Sequence, residues 1–377
     1  MDIGTSQEIV WALISNALIM LTLPGVALFY GGMVRKKNVV NTMGLPLLAT
    51  AAVPLLWLGW ARATAVEGAS AGLSTGLSGA LALALVTGAL VERVRVIFFL
   101  VFGSLWVTLV FAPVAQWLWG GGWLSRLGCL DFAGGAVIHV SAGVAALASA
   151  VLVSPRRGYG RTEMAPHALP LAIGGASFMW MGWVGFTSGR GVATITVAAG
   201  ALVAIQVAAA SAALAWTMVE WIQRDKPTAL GTVSGAVAGL VAIAPAAGYV
   251  SPLSALVIGV GAGGFCYMVV NYVKPILGYD DSLDVFGMHG IGGTWGMIAT
   301  GLFATTTVNP DGSDGLFYGY PYQFGAQVLA VLVVWAYTGT MTILLFKGLQ
   351  LVLPARVDAE AEVSGLDLSQ HGEKGYS

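Results

Sequence analysis

From Val96 to Leu118 the chain contains no Asp, Glu, Lys or Arg, and the same holds from Gln323 to Phe346. Each stretch is about 20 residues long, enough to cross the hydrocarbon core of a bilayer as a helix. Water tolerates no such surface, and inside lipid every backbone N–H and C=O must be satisfied within the segment. The composition agrees. Of 377 residues, 57% are apolar and 9% charged, against about 25% charged in soluble domains. Hydrophobic runs separated by charged or turn-rich breaks predict spans at about 7–34, 38–60, 71–92, 96–118, 131–153, 168–188, 194–222, 228–247, 252–274, 283–305 and 323–353. The expected fold is all-α and polytopic, with eleven transmembrane helices.

Charge gives the direction. Putting the N-terminus outside leaves only Arg62, Arg126 and Arg190 of the 17 Lys and Arg residues on the outer side. The positive-inside rule then reads N-out and C-in, with 354–377 as a polar, acidic cytoplasmic tail. A net charge of −1 gives no footing for nucleic acid. Cys129 and Cys266 are too few for a disulfide framework. The acidic run "YDDSLD" (279–284) reads as a solvated loop, or as a partner for Arg or Lys of a neighbouring loop or the tail.

Two spans carry a histidine each. "HVSAG" begins at His139 and "HGIGG" at His289, five spans apart, so the two helices cross in opposite senses. This predicts an inverted repeat of about 7–153 and about 168–305, with 323–353 as an added helix. Such repeats place a site near the midplane where the halves meet. An ionisable side chain inside a membrane is costly and points to function. Desolvation favours the uncharged ring, and a neutral imidazole offers one donor and one acceptor. Two such rings suit a small molecule that donates and accepts. No cysteine, carboxylate or third histidine is in reach by sequence to complete a metal site, and no cofactor is expected. His167 and His371 read as solvated. The 52 glycines, with runs such as "GTVSGAVAGLVAIAPAAG" and "GVGAGG", supply small faces for close helix approach. No nucleophile–base pair or metal set suggests an enzyme. The glycines after His289 follow no strand, so they are not a nucleotide loop.

"WGGGWLSRLGCLDFAGGAVIHVSAG", "LPGVALFYGGMVRKKN", "GWVGF", "SGAVAGLVAIAPAAGY", "DVFGMHGIGG" and "GLDLSQHGE" together resemble the ammonium transporter (Amt/Mep/Rh) family, in its Amt branch, over essentially the whole chain. The resemblance implies a homotrimer in the cell (inner) membrane, each protomer with its own narrow pore. It implies an outer vestibule for ammonium, a phenylalanine gate, and twin histidines past which the nitrogen moves as ammonia. By motif position His139 and His289 match the twin histidines and Trp119 the vestibule tryptophan. Phe186 matches the second gate phenylalanine. Asp131 matches the acid heading the fifth span, where it suits a helix cap and vestibule brace.

Two positions depart from the pattern. Ser78 stands where the first gate phenylalanine is expected, and Arg190 where the vestibule serine is expected. A fixed cation at the outer mouth repels ammonium, or folds over Trp119 and occupies the face a cation would use. Ser78 either adds an oxygen to the pore or bonds its own helix. These departures open a second reading, an ammonium sensor that signals through the tail to a fused or separate output domain. A PII-type regulator on the cytoplasmic face is a further implication of the resemblance.

Overall fold

The computed structural model describes residues 6–61, 69–188 and 195–376. Among them there is no β-strand; one isolated antiparallel bridge joins Val94 to Arg356. The apolar runs form helices α1 Ser6–Met33, α2 Val39–Ala61 and α3 Ala69–Leu90. Helix α4 runs Val96–Trp106 and continues through a π-turn, Val107–Phe111, into Ala112–Leu118. Helix α5 is Ser141–Val153, entered through a π-turn Gly135–Val140. Then follow α6 Leu169–Ser188, α7 Ile195–Arg224 and α8 Ala229–Ile243. Helix α9 Pro252–Met268 is extended by a π-turn Val269–Val273 and the turn Lys274–Leu277. Helix α10, Ile291–Phe303, is entered through a second π-turn, Phe286–Gly290. Helix α11 is Pro321–Gln350.

Among the described residues nine helices are long and apolar enough to cross a membrane. Two of the predicted spans are not among them. The run 228–247 is helical only over Ala229–Ile243, and 283–305 becomes regular α-helix only at Ile291. In the first, Pro245 follows the helix end, and proline cannot continue a hydrogen-bonded helix. In the second, the stretch from Phe286 is continuous through its π-turn, as it is in the span that starts at Gly135, but His289 and several glycines make it less apolar. Local polar side chains cap several starts: Thr228 accepts from the Gly231 N–H at 2.9 Å and Ser251 from the Ser254 N–H at 3.2 Å, each freeing the backbone of an orphan donor.

Helix α3 lies inside, with 89% of its span buried, whereas α11 is peripheral at 28%. The Leu, Met and Ile side chains left open on α1, α7 and α9 form flanks fit for lipid or for another copy.

At the Arg- and Lys-rich end, charges are buried in pairs. Glu92 accepts from Arg35 Nε at 2.9 Å, Arg156 NH1 at 2.7 Å and Asn38 Nδ2 at 2.8 Å. Asp280 accepts from Arg93 NH1 at 3.0 Å and Arg156 NH2 at 2.8 Å. "YDDSLD" is therefore not a solvated loop, since Asp280 is 1% and Asp281 0% exposed. The alternative expectation, a partner for Arg or Lys of a neighbouring loop, holds: Arg93 and Arg156 pair with Asp280. The tail folds back onto the same end. Lys37 Nζ donates to the Glu362 carbonyl at 3.1 Å, the Leu366 N–H to Asn38 Oδ1 at 2.9 Å, and the Asn41 N–H to Asp367 Oδ1 at 2.8 Å. His371 Nε2 meets Asn41 Nδ2 at 3.0 Å, and His167 bonds the Val34 carbonyl and the Tyr376 hydroxyl. Neither histidine is simply solvated, because the returning tail brings partners to both.

Candidate functional site

The site is built where α5 and α10 cross. Each helix carries a glycine four residues after its histidine. A Cβ on Gly143 would lie 2.1 Å from the Gly290 nitrogen, and one on Gly293 would lie 2.8 Å from the Gly135 carbonyl and 3.0 Å from the His139 Cβ. Only hydrogen fits at either place, so the two backbones touch and the two histidines meet. Both histidines stand on π-turns, an irregularity common at functional sites.

His139 and His289 are 0% and 3% exposed. Their Nδ1 atoms lie 3.3 Å apart and their ring centroids 5.3 Å apart at 24°. For neutral rings one Nδ1 donates and the other accepts. His139 Nε2 is buried and has no hydrogen-bond partner among the described residues. The other face of His139 is covered by Trp183, stacked at 5.1 Å and 8°. Phe186, 1% exposed, packs edge-on against Trp183 at 6.3 Å. Trp183 was not singled out in the sequence. Its one signal is its place within "GWVGF", three residues before Phe186, where it passes for an ordinary core aromatic.

Asp131 holds the start of the first π-turn. Its Oδ1 accepts from the Gly134 and Gly135 N–H groups at 2.9 and 2.6 Å, and its Oδ2 from those of Ala136 and Val137 at 2.9 and 3.0 Å. Four orphan donors of the helix start are thereby satisfied. Trp119 Nε1 donates to the Asp131 carbonyl at 2.8 Å, which ties the indole to the same corner. Ser78 is fully buried on α3, and its hydroxyl donates to the Ser74 carbonyl at 2.7 Å. Arg190 lies outside the described residues. Among the described residues no group of three or more His, Cys, Asp or Glu is arranged to hold a metal.

A family model described as the Ammonium Transporter Family matches residues 10–71 and 62–376. The chain belongs to the ammonium transporter family. It is 43% identical over 391 residues to the ammonium transporter of Bacillus subtilis, covering 95% of this chain and 96% of that protein. It is 41% identical to the ammonium transporter Amt1 of Archaeoglobus fulgidus, covering 98% and 99%. Among solved structures, Mep2 of Saccharomyces cerevisiae superposes with a TM-score of 0.88 at 28% identity, covering 100% of this chain and 96% of that one. A protein described as a sensor Amt protein superposes with a TM-score of 0.89 at 25% identity, covering 97% and 98%. The family is one of membrane transporters and not of enzymes.

Proposed function

We propose that this chain conducts ammonium across the cell (inner) membrane, with the nitrogen passing His139 and His289 as ammonia after the cation has lost its proton, and with that proton crossing separately so that one charge accompanies each nitrogen. The observation that carries this reading is the buried contact between two imidazoles in surroundings otherwise apolar. Potassium and ammonium are nearly the same size, so radius selects poorly. Only ammonium can shed a proton and become neutral, which avoids carrying a charge through hydrocarbon. The ring atom His139 Nε2, left without a protein partner among the described residues, supplies a polar atom for such a guest.

In this reading the chain spans the membrane eleven times, N-out and C-in, as an inverted repeat of about 7–153 and 168–305 plus 323–353. The two shorter helices, α8 and α10, serve as the remaining spans. In the same reading Trp119, Phe186 and Ser78 belong to the outer approach, and Asp131 braces it. Family resemblance extends the proposal to a homotrimer and to a PII-type regulator at the cytoplasmic end.

The test is an ammonium gradient across proteoliposomes. Wild-type protein is expected to give a saturable current, and His139→Ala to lower it by at least about tenfold, the factor belonging to about 1.4 kcal/mol of lost favourable contact. One observation favours a second reading. Ser78, where the family pattern has a gate phenylalanine, spends its hydroxyl on its own helix and offers no aromatic plug. Ammonium that raises Tm while no current flows supports the sensor reading, with the tail as its output. Current of family strength rejects it.

A further inference from the structure

The two histidine turns have matching lead-ins. Asp131 stands eight residues before His139, and Asp281 eight residues before His289. Both carboxyls are buried, at 7% and 0% exposure, and both accept backbone N–H groups at the start of a π-turn. There the likeness stops. Asp131 accepts four N–H bonds, two on each oxygen, so protonating it would break at least one of them. Asp281 Oδ2 accepts from the Phe286 N–H at 2.7 Å, while Oδ1 is buried with no hydrogen-bond partner among the described residues. A carboxylate oxygen without a donor in a dry place is costly, and a proton on it removes the charge.

The surroundings offer a way in for that proton. Lys274 Nζ donates to the Asp281 carbonyl at 2.7 Å and pairs with Asp284. The side chains of Lys274 and Asp284 are 14% and 25% exposed, so solvent reaches the ion pair that borders the Asp281 backbone. The other ionisable groups acting on it or feeling it are Tyr30 from α1, Arg93 beyond α3, and Tyr279 in the same loop. Burial pushes the Asp281 carboxyl up to about 6; Lys274 and the backbone N–H groups of Phe286 and Val285 oppose the rise, and Asp284 adds to it.

We propose that Asp281 is a proton-exchanging positioning residue for His289, so that the cytoplasmic pH sets how firmly the inner half of the histidine pair is held, while Asp131 is a fixed cap for the outer half. The word cytoplasmic rests on the orientation given under the proposed function. The juxtaposition of Asp281, Phe286 and His289 does not.

The sign follows from linkage. The closed turn binds the proton more tightly than an opened, hydrated one, so opening is hardest when Asp281 is protonated and eases as pH rises. The full-length protein in nanodiscs, followed by hydrogen exchange corrected for the intrinsic rate, reads this directly. Protection across 285–290 is expected to fall about tenfold between about pH 5 and about pH 7, while protection across 134–140 stays level. Asp281→Asn should abolish the pH response at 285–290, and Asp281→Glu should keep one with a displaced midpoint. A level profile at 285–290 in the wild type, or an equal slope in both turns, overturns the inference without need of any variant. An absent ammonium current leaves this result untouched and counts instead against conduction.

Discussion

The crossing of α5 and α10 and the Arg- and Lys-rich end solve one problem by opposite means. At the crossing, position is fixed by the absence of atoms: two glycines let backbones touch, and two neutral rings meet with few polar neighbours. At the charged end, position is fixed by surplus. Glu92 and Asp280 take donors from three arginines, and the tail is stitched over them. A crossing built of neutral groups avoids the desolvation cost of charge, whereas each carboxylate buried at the charged end is matched by arginine. The comparison teaches that the same chain buries its arginine–carboxylate pairs together at one end and builds its site among neutral groups.

The comparison breaks most severely at Arg156, which bridges Glu92 and Asp280 while 8% exposed. Arg156→Ala leaves two buried carboxylates short of a partner and is expected to cost about 3–5 kcal/mol, read as a large drop in Tm or in the yield of folded protein. Next comes Gly143→Ala. The added carbon has backbone, not a flexible side chain, in its way, and overpacking of this kind costs about 1–3 kcal/mol. Its distinguishing mark is a loss of current out of proportion to the loss of Tm, because the ring contact is displaced.

The smallest effect is the dependence on acid. Burial raises the Asp280 carboxyl, but hydrogen bonds and charge from Arg156 and the charge of Arg93 outweigh it and hold it below its ordinary value. Its stabilisation is complete above the unfolded value of about 4 and is lost as pH falls through the depressed one. Tm should therefore sag at the acid end in wild type and sag less in Asp280→Asn, which begins from a lower plateau. A parallel displacement of the two curves would mean that Asp280 carries none of the acid response.

The apolar runs were legible because lipid leaves little choice: an uncharged stretch of spanning length must be helical. The ends were less so, since α8 stops at Ile243, just before Pro245, where hydrophobicity alone would extend it. His139 and His289 stood out because a histidine amid Gly, Ala and Val is chemically conspicuous. Trp183 did not, since a tryptophan in an apolar helix has many reasons to be there. That "YDDSLD" could pair with a neighbouring loop was legible, but not that Arg93 and Arg156 are the partners: they lie 187 and 124 positions away, and only the folded topology brings them together.

The contact between the two imidazoles joins like atoms, Nδ1 to Nδ1. One hydrogen fits between them. The ring that keeps it has a bare lone pair on its far Nε2, and the ring that accepts it must bear its own hydrogen there. The two rings thus make a pair that is chemically lopsided at any instant, giving at one end and taking at the other, and reversing its sense requires the shuffling of hydrogens and no movement of the chain.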